Sequence, residues 1–251
     1  MWSLGWIEMI TIVLSYYNSG GMLDRHFAEW DRYPARVKDV FRAVIVDDGS
    51  PTDPAINHWR DPGFPCRLYR IKENIPWNIP GARNLGMEVA PEGWCLLTDI
   101  DHLLSGEQAA ILAQGSYAKV DATNHQALFD YFIFRRRWAD GRELHPHPNS
   151  YLIERRSYWL CGGTDEDWSG WWGAGEQVFR KCLHQKGGNP HLLDVTLIHY
   201  GRDDIADAST REWGRRDSVY DWRRNPELVA KAQGAAYRPV NPLRFTWERQ
   251  R

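Results

Sequence analysis

The stretch Trp94-Cys95-Leu96-Leu97-Thr98-Asp99-Ile100-Asp101 decides the fold class. Its first five residues are a short, largely apolar run of strand length, and two carboxylates follow where that strand would end. In open α/β sheets, ligands sit beyond the carboxyl ends of parallel strands, so carboxylates in that position point to a site. The same layout occurs twice upstream. Met9-Ile10-Thr11-Ile12-Val13-Leu14 runs into Ser15-Tyr16-Tyr17-Asn18-Ser19-Gly20-Gly21, and Ala43-Val44-Ile45-Val46 stops at Asp47-Asp48-Gly49-Ser50-Pro51. Between them Leu23, Phe27 and Trp30 recur at helical spacing until Pro34. Strand, helix, strand with polar loops at the carboxyl ends predicts an α/β protein, with a Rossmann-like, mostly parallel central sheet flanked by helices.

Downstream, Cys66 to Ile71 reads as a third strand. A loop, Pro76-Trp77-Asn78-Ile79-Pro80-Gly81, then leads into a helix over Ala82 to Val89. Further strands are predicted over Ala127 to Arg136, Ser150 to Ile153 and Leu193 to His199, with a helix over Val178 to Gln185. A chain of 251 residues suits one large α/β domain, and there is no internal repeat. The expected organisation is a catalytic domain over 1–200 followed by an Arg/Trp-rich extension over 201–251 packed on it. Within the domain, a first half covers about 1–101 and a second half about 102–200.

Composition narrows the classes. With 43% hydrophobic residues the chain can bury a sizeable core, which excludes a disordered protein. A formal net charge of −2 gives no global field toward polyanions, so any nucleic-acid contact must be local. Cys66, Cys95, Cys161 and Cys182 lack metal-binding or paired spacing, which predicts reduced thiols and a cytoplasmic location. The apolar run Ile7 to Leu14 is too short to span a bilayer and has no basic leader, so it is read as a strand and no integral membrane association is expected. The 14 tryptophans are the unusual number, since indole rings either fill a core or stack on flat and ring-shaped ligands.

Asp99-x-Asp101 offers carboxylate oxygens to a hard cation, Mg²⁺ or Mn²⁺, which could also hold phosphate oxygens; a cap or a solvated turn is the plainer reading. Four motifs in order then become specific: Ser15-Tyr16-Tyr17-Asn18, Val46-Asp47-Asp48-Gly49-Ser50, Gly81-Ala82-Arg83-Asn84-Leu85-Gly86 and Asp99-Ile100-Asp101. Together they resemble the family 2 glycosyltransferases with the GT-A fold, over roughly residues 9 to 200. The resemblance implies that Ser15, Tyr17 and Asp48, with Asp47 close by, hold the base and ribose of a uridine-type nucleotide. It implies that Arg83 meets the nucleotide or its diphosphate, and that Asp99 serves both donor and metal. Stacking on a tyrosine, acceptance by a carboxylate and a guanidinium fork on phosphate are the matching physical interactions.

A second stretch, Gly162-Gly163-Thr164-Asp165-Glu166-Asp167-Trp168-Ser169-Gly170-Trp171-Trp172-Gly173-Ala174-Gly175-Glu176, is similar to the acceptor-side segment of galactosyltransferase-type members. Those carry a Glu-Asp pair whose aspartate is the base; here Gln177 stands in its place, and an amide cannot accept a proton at neutral pH. The base is then sought among Glu176 first, Asp167 second, and Glu166 and Asp165, against the alternative that these acids cap the following helix. Trp77, Trp168, Trp171 and Trp172 are expected to form an acceptor platform, or simply core. Val195-Thr196-Leu197-Ile198-His199-Tyr200-Gly201 resembles the late strand whose histidine completes the metal shell, which adds His199 to Asp99 and Asp101; His102 is a weaker candidate.

These parts imply a metal-dependent, inverting transfer from a nucleotide sugar, a UDP-sugar favoured, to an acceptor hydroxyl. Arg135-Arg136-Arg137-Trp138, Arg155-Arg156 and the extension, with its excess of three positive charges, make a hydroxymethylated DNA base the leading acceptor, as in phage-type DNA-modifying members. The alternatives are a saccharide or lipid-linked acceptor, or a non-catalytic sugar-nucleotide or glycan-binding module, which Gln177 favours. A nucleotidyltransferase is disfavoured because no Gly-x-Gly-x-x-Arg loop follows the first strand.

Overall fold

The computed structural model describes residues 9–115, 127–208, 219–234 and 242–251. The predicted α/β architecture is present. Strands β1 (Ile10–Tyr16), β2 (Phe41–Asp48), β3 (Cys66–Ile71) and β4 (Trp94–Asp99) lie side by side and parallel, in the order β3-β2-β1-β4. The chain leaves β1 toward β2 and β3. It then returns through helix α3 (Ile79–Val89) to β4 on the other flank of β1, so the strand order reverses at the β1/β4 crevice.

Both faces of these strands are covered, which is why they read as unbroken apolar runs. Ile10, Ile12 and Leu14 pack with Phe27 and Trp30 of helix α1 (Gly20–Asp31) on one face, while Val44 and Val46 pack with Ala82 and Leu85 of α3 on the other. Two glycines are fixed by their surroundings. Gly49, just after β2, has φ +68 and a side chain there would strike the Glu73 carbonyl; a Cβ on Gly86 in α3 would lie 2.4 Å from Val13 Cγ1.

The sheet continues past β4 through β8 (Tyr151–Glu154), β6 (Phe129–Trp138), β9 (Gly188–His199) and β5 (His102–Leu104), with β7 (Glu143–Leu144) pairing β6. β6 runs two residues beyond the predicted Arg136, because Arg135 and Arg137 point outward while Arg136 and Trp138 are partly covered. β9 starts five residues before Leu193 and passes through Pro190. The missing N–H is tolerated because β6 lies on one side and β5 covers only Leu197 to His199 on the other. Helices α2 (Ala35–Lys38), α4 (Gly106–Leu112), α5 (Arg155–Leu160) and α6 (Gly175–Gln185) flank the sheet.

The C-terminal region does more than lie on the core. β10 (Trp247–Arg249) pairs antiparallel with β3 as the far edge of the sheet, and Leu228 of helix α7 (Pro226–Gln233) packs with Trp168 and Val178. Among the described residues all four cysteines are free thiols, and no helix is long and apolar enough to cross a membrane.

Asn84 ties the two halves together. Its amide donates to the Thr164 carbonyl and to Glu166 Oε1, and its carbonyl accepts from Tyr158 Oη and from Thr164 N and Oγ1, all buried. Stranding buried partners costs about 1–3 kcal/mol for each group. Asn84→Leu is therefore expected to lower unfolding free energy by at least about 3 kcal/mol in urea titrations.

Candidate active site

Register brings the motifs together. Ser15 pairs with Val46 on one side and with Asp99 on the other, and Tyr16 pairs with Asp47, so three parallel strands release their loops at one level. Two adjoining cavities open there. The smaller, about 120 Å³, is bounded by Ser15, Tyr17, Asp48 and Asp101; the larger, about 570 Å³, by Arg83, Glu176 and several tryptophans. Asp99, Ile79 and Trp77 line both. Trp77 stands in the shared wall with φ +53, a left-handed conformation that a bulky residue holds only under constraint from its surroundings.

In the smaller cavity Ser15 Oγ is buried without a hydrogen-bond partner among the described residues, and Tyr17 borders the space. Asp48 also borders it, and accepts from Asn78 Nδ2 at 3.0 Å. Asp47 is turned away. Its oxygens accept from the backbone N–H of Ser50 at 2.8 Å and of Ala55 at 2.9 Å, so it shapes the loop after β2 and does not border the cavity.

At the crevice the carboxylates divide. Asp99 Oδ1 accepts from the buried Arg83 guanidinium at 2.7 Å, and Oδ2 accepts from Asn149 Nδ2 at 3.0 Å, with His147 Nε2 3.6 Å away. Burial pushes this carboxyl up, but Arg83 and then His147 override it and hold it below the usual range. Asp101 is raised, first by burial and then by the neighbouring Asp99 charge. Asp101 and His199 come together as expected, Oδ2 and Nδ1 being 3.8 Å apart, and His102 joins them, with ligand atoms of all three within 4.8 Å of one another. Asp99 is not in that group, and its two oxygens are engaged by Arg83 and Asn149. Arg83 in turn faces Asp99 and the Asn149 carbonyl, with its Nε buried and unpartnered beside the larger cavity.

The donor set fits a hard divalent cation. His199 Nδ1 is buried with no hydrogen-bond partner among the described residues and faces a carboxylate oxygen, and such an orphan nitrogen is a natural ligand. Burial lowers the His199 imidazole, takes His102 to about 4 and His147 to about 3, so all three are neutral near pH 7, as metal binding requires. Three imidazoles stack, His147 on His102 at 4.0 Å and His102 on His199 at 4.6 Å between centroids, and Trp138 meets His199 at a tilt, 4.4 Å between centroids.

No family model and no curated relative matches the sequence. Solved structures do match. The S. aureus TarS 1-349 structure in complex with UDP-GlcNAc superposes with a TM-score of 0.59 at 14% identity, covering 90% of this chain and 71% of that one. The Pyrobaculum calidifontis mannosyltransferase PcManGT in complex with GDP-Man and Mn2+ gives 0.57 at 17% identity, covering 92% and 72%. The fold is that of the GT-A glycosyltransferases. At this identity the likeness establishes architecture alone.

Within this GT-A frame the acidic segment sorts by partner. Glu166 accepts from Asn84 and from the backbone of Leu243 and Arg244; Asp165 pairs with Lys231 at 2.8 Å; Asp167 pairs with Lys231 and, at 2.9 Å, with Arg244. These three fasten the C-terminal region to the cleft wall. Glu176, in the first turn of α6, borders the larger cavity, and no lysine or arginine forms an ion pair with it among the described residues. Burial raises its carboxyl against the lowering pull of Arg83, the direction that favours a base. Gln177 lies beside it, exposed at the cavity edge. Trp171 and Trp172 line the cleft half-buried, whereas Trp168 also borders it but sits 2% exposed in a small core against Trp222.

The arginines read as a nucleic-acid patch are largely engaged. Arg155 pairs with Glu88 and Glu92, Arg156 with Glu154, Arg135 with Asp194 and Arg223 with Asp221. Arg211, Trp213, Arg215 and Arg216 lie outside the described residues. Sequence reasoning missed His147, Asn149, Trp222 and the role of Arg136. Only tertiary contact reveals them, although His147 and Asn149 do fall in a polar run just before a predicted strand.

Because Asp101 holds its proton more tightly than a free carboxyl does, cation binding must release that proton. Mn²⁺ affinity, read from free Mn²⁺ by electron paramagnetic resonance, is expected to rise with pH across the neutral range and to lose that slope in Asp101→Asn.

Proposed function

We propose that this protein is a metal-dependent, inverting glycosyltransferase that moves a sugar from a UDP-sugar to a hydroxyl of a ring-shaped acceptor. The observation that carries this reading is the pair of adjoining cavities meeting at Asp99. Asp101, with His199 next to it, borders the smaller cavity, which bears the nucleotide-type residues Tyr17 and Asp48, and Glu176 stands at the larger, tryptophan-walled one.

A bound Mn²⁺ or Mg²⁺ supplies Lewis-acid stabilisation to a departing diphosphate, and Asp101 with His199 would hold it. Ser15, Tyr17 and Asp48 bind the nucleotide, the orphaned Ser15 Oγ being free to take a hydrogen bond from it. Glu176 takes the acceptor proton, its raised carboxyl suiting that task. Attack from the Glu176 side on a sugar whose diphosphate lies at Asp101 is a single displacement, which inverts the anomeric centre. Arg83 acts by fixing Asp99 at the junction.

For the acceptor we favour a saccharide over a hydroxymethylated DNA base. The positive side chains at the cleft, Arg83 and Arg223, are already paired with Asp99 and Asp221, and Asp99, Asp165 and Glu176 line the same space. That balance suits a neutral polyhydroxylated ring against indole faces better than a phosphate chain. An extruded base also fits a slot of this kind, and keeps DNA as the second reading.

A panel of nucleotide sugars with Mn²⁺, assayed for nucleoside diphosphate release with oligosaccharides or hydroxymethylated DNA, tests both. Release stimulated only by DNA would reverse the acceptor assignment, and no release with any donor would leave a binding module. Glu176→Gln is expected to lower kcat by about 10²–10⁴-fold, the range for a lost general base, while Asp167→Asn stays near the parent rate. The opposite ranking would move the base to Asp167.

A further inference from the structure

Beside the expected cation ligands Asp99, Asp101 and His199 stand His102, a weaker ligand candidate in the sequence, and Arg136, which the sequence did not point to as part of that site. They reach it by strand geometry. His102 and His199 are paired across β5 and β9, Trp138 is paired with His199 across β6 and β9, and Arg136, two residues before Trp138, shares its face of the sheet. Arg136 Nη1 lies 3.4 Å from His102 Nε2, and His102 Nδ1 lies 2.6 Å from Asp101 Oδ1. A guanidinium can only donate, so Nε2 must be the accepting nitrogen. A neutral imidazole that accepts at Nε2 carries its proton on Nδ1, and the Asp101 carboxylate accepts that proton's hydrogen bond. Both ring nitrogens are then occupied.

We propose that His102 is a positioning residue and not a ligand of the cation: Arg136 fixes its Nδ1–H tautomer, and His102 in turn holds Asp101 by Oδ1 so that Oδ2 faces His199 Nδ1. Proximity alone would have made His102 a third ligand, since its atoms fall within the same 4.8 Å group. The hydrogen-bond directions assign it otherwise. The ring stack holds the arrangement in plane, with His147 on one side of His102 and His199 on the other. A carboxylate oriented by an imidazole is a familiar second layer around a metal, and losing such a partner weakens metal affinity by about 10–100-fold. Arg136 is itself anchored through Nε to the His145 carbonyl at 3.0 Å, two residues from His147, so the relay is tied to the loop that also carries Asn149.

The inference rests on the cation site proposed above, and its first test does not need a cation. Long-range ¹⁵N–¹H correlation spectra of the metal-free protein should show His102 protonated on Nδ1; protonation on Nε2 would overturn the relay. The second test is Mn²⁺ binding measured by electron paramagnetic resonance without donor or acceptor. Arg136→Met should weaken it by about 10–100-fold. His102→Asn, whose amide N–H can replace the Nδ1–H, should bind more tightly than His102→Ala and far more tightly than His199→Ala. Equal loss in His102→Asn and His199→Ala would make His102 a ligand after all. Should Arg136→Met not fold, the tautomer of the parent protein still decides. Absence of Mn²⁺ binding in the parent would count against the proposed function, while the tautomer result would stand separately.

Discussion

The interaction on which the arrangement depends is the ion pair between Arg83 and Asp99. The guanidinium is 2% exposed, and a charge so placed survives only if paired and hydrogen-bonded. Its partner sits at the end of β4, at the point where strand order reverses, and its second acceptor is the Asn149 carbonyl from the loop before β8. One side chain from α3 thus joins the parallel half of the sheet to the half that begins at β8. Removing one member of such a pair typically costs about 3–5 kcal/mol, because the other charge stays behind. The same pairing explains why two carboxylates separated by one residue behave differently. Asp99 is held charged by Arg83, while Asp101 is raised, first by burial and then by the Asp99 charge.

Much of this was legible in the sequence because parallel strands buried on both faces announce themselves as apolar runs, and their carboxyl-terminal loops carry the polar residues. Cys66 to Ile71 was read at its observed bounds, and β1, β2 and β4 within two residues at each end. What stayed hidden has physical causes. β5 and β10 are three residues long, too short for any period to show, and β10 earns its place by pairing with β3, more than 170 residues earlier. β9 runs through Pro190, which reads as a breaker unless one knows that this side of the strand is open.

At the site, residue type found the cluster but not the division of labour within it. Asp47 and Asp48 look alike in sequence, yet only Asp48 borders the cavity, because the loop to Ala55 folds its backbone donors onto Asp47. Asp165, Glu166 and Asp167 all read as candidates for a base behind Glu176, with Asp167 ahead of the other two. Their partners, Lys231 and the backbone and side chain of Arg244, come from a region read as an appended extension. Acids engaged in this way hold a wall in place, whereas Glu176 borders the larger cavity with no ion pair to a lysine or arginine among the described residues.

The two cavities are also mechanically joined, which bears on how transfer would be timed. Asn78, fully buried, donates to Asp48 Oδ1 at the smaller cavity and accepts from Ser169 Oγ at 2.6 Å on the turn that carries Trp168 and Trp171. Next to it, Gly170 N donates to the Pro76 carbonyl at 2.7 Å, so the segment from Pro76 to Asn78 is hydrogen-bonded to both sides. Trp77, held at positive φ between these two anchors, is one of the three side chains shared by the two spaces. A nucleotide that engages Asp48 therefore acts on the same short segment that shapes the tryptophan-walled cleft. The constraint runs both ways, because any shift of Ser169 pulls on the amide that orients Asp48. Close packing transmits such shifts instead of absorbing them, so this partition ties the geometry of one cavity wall to that of the other.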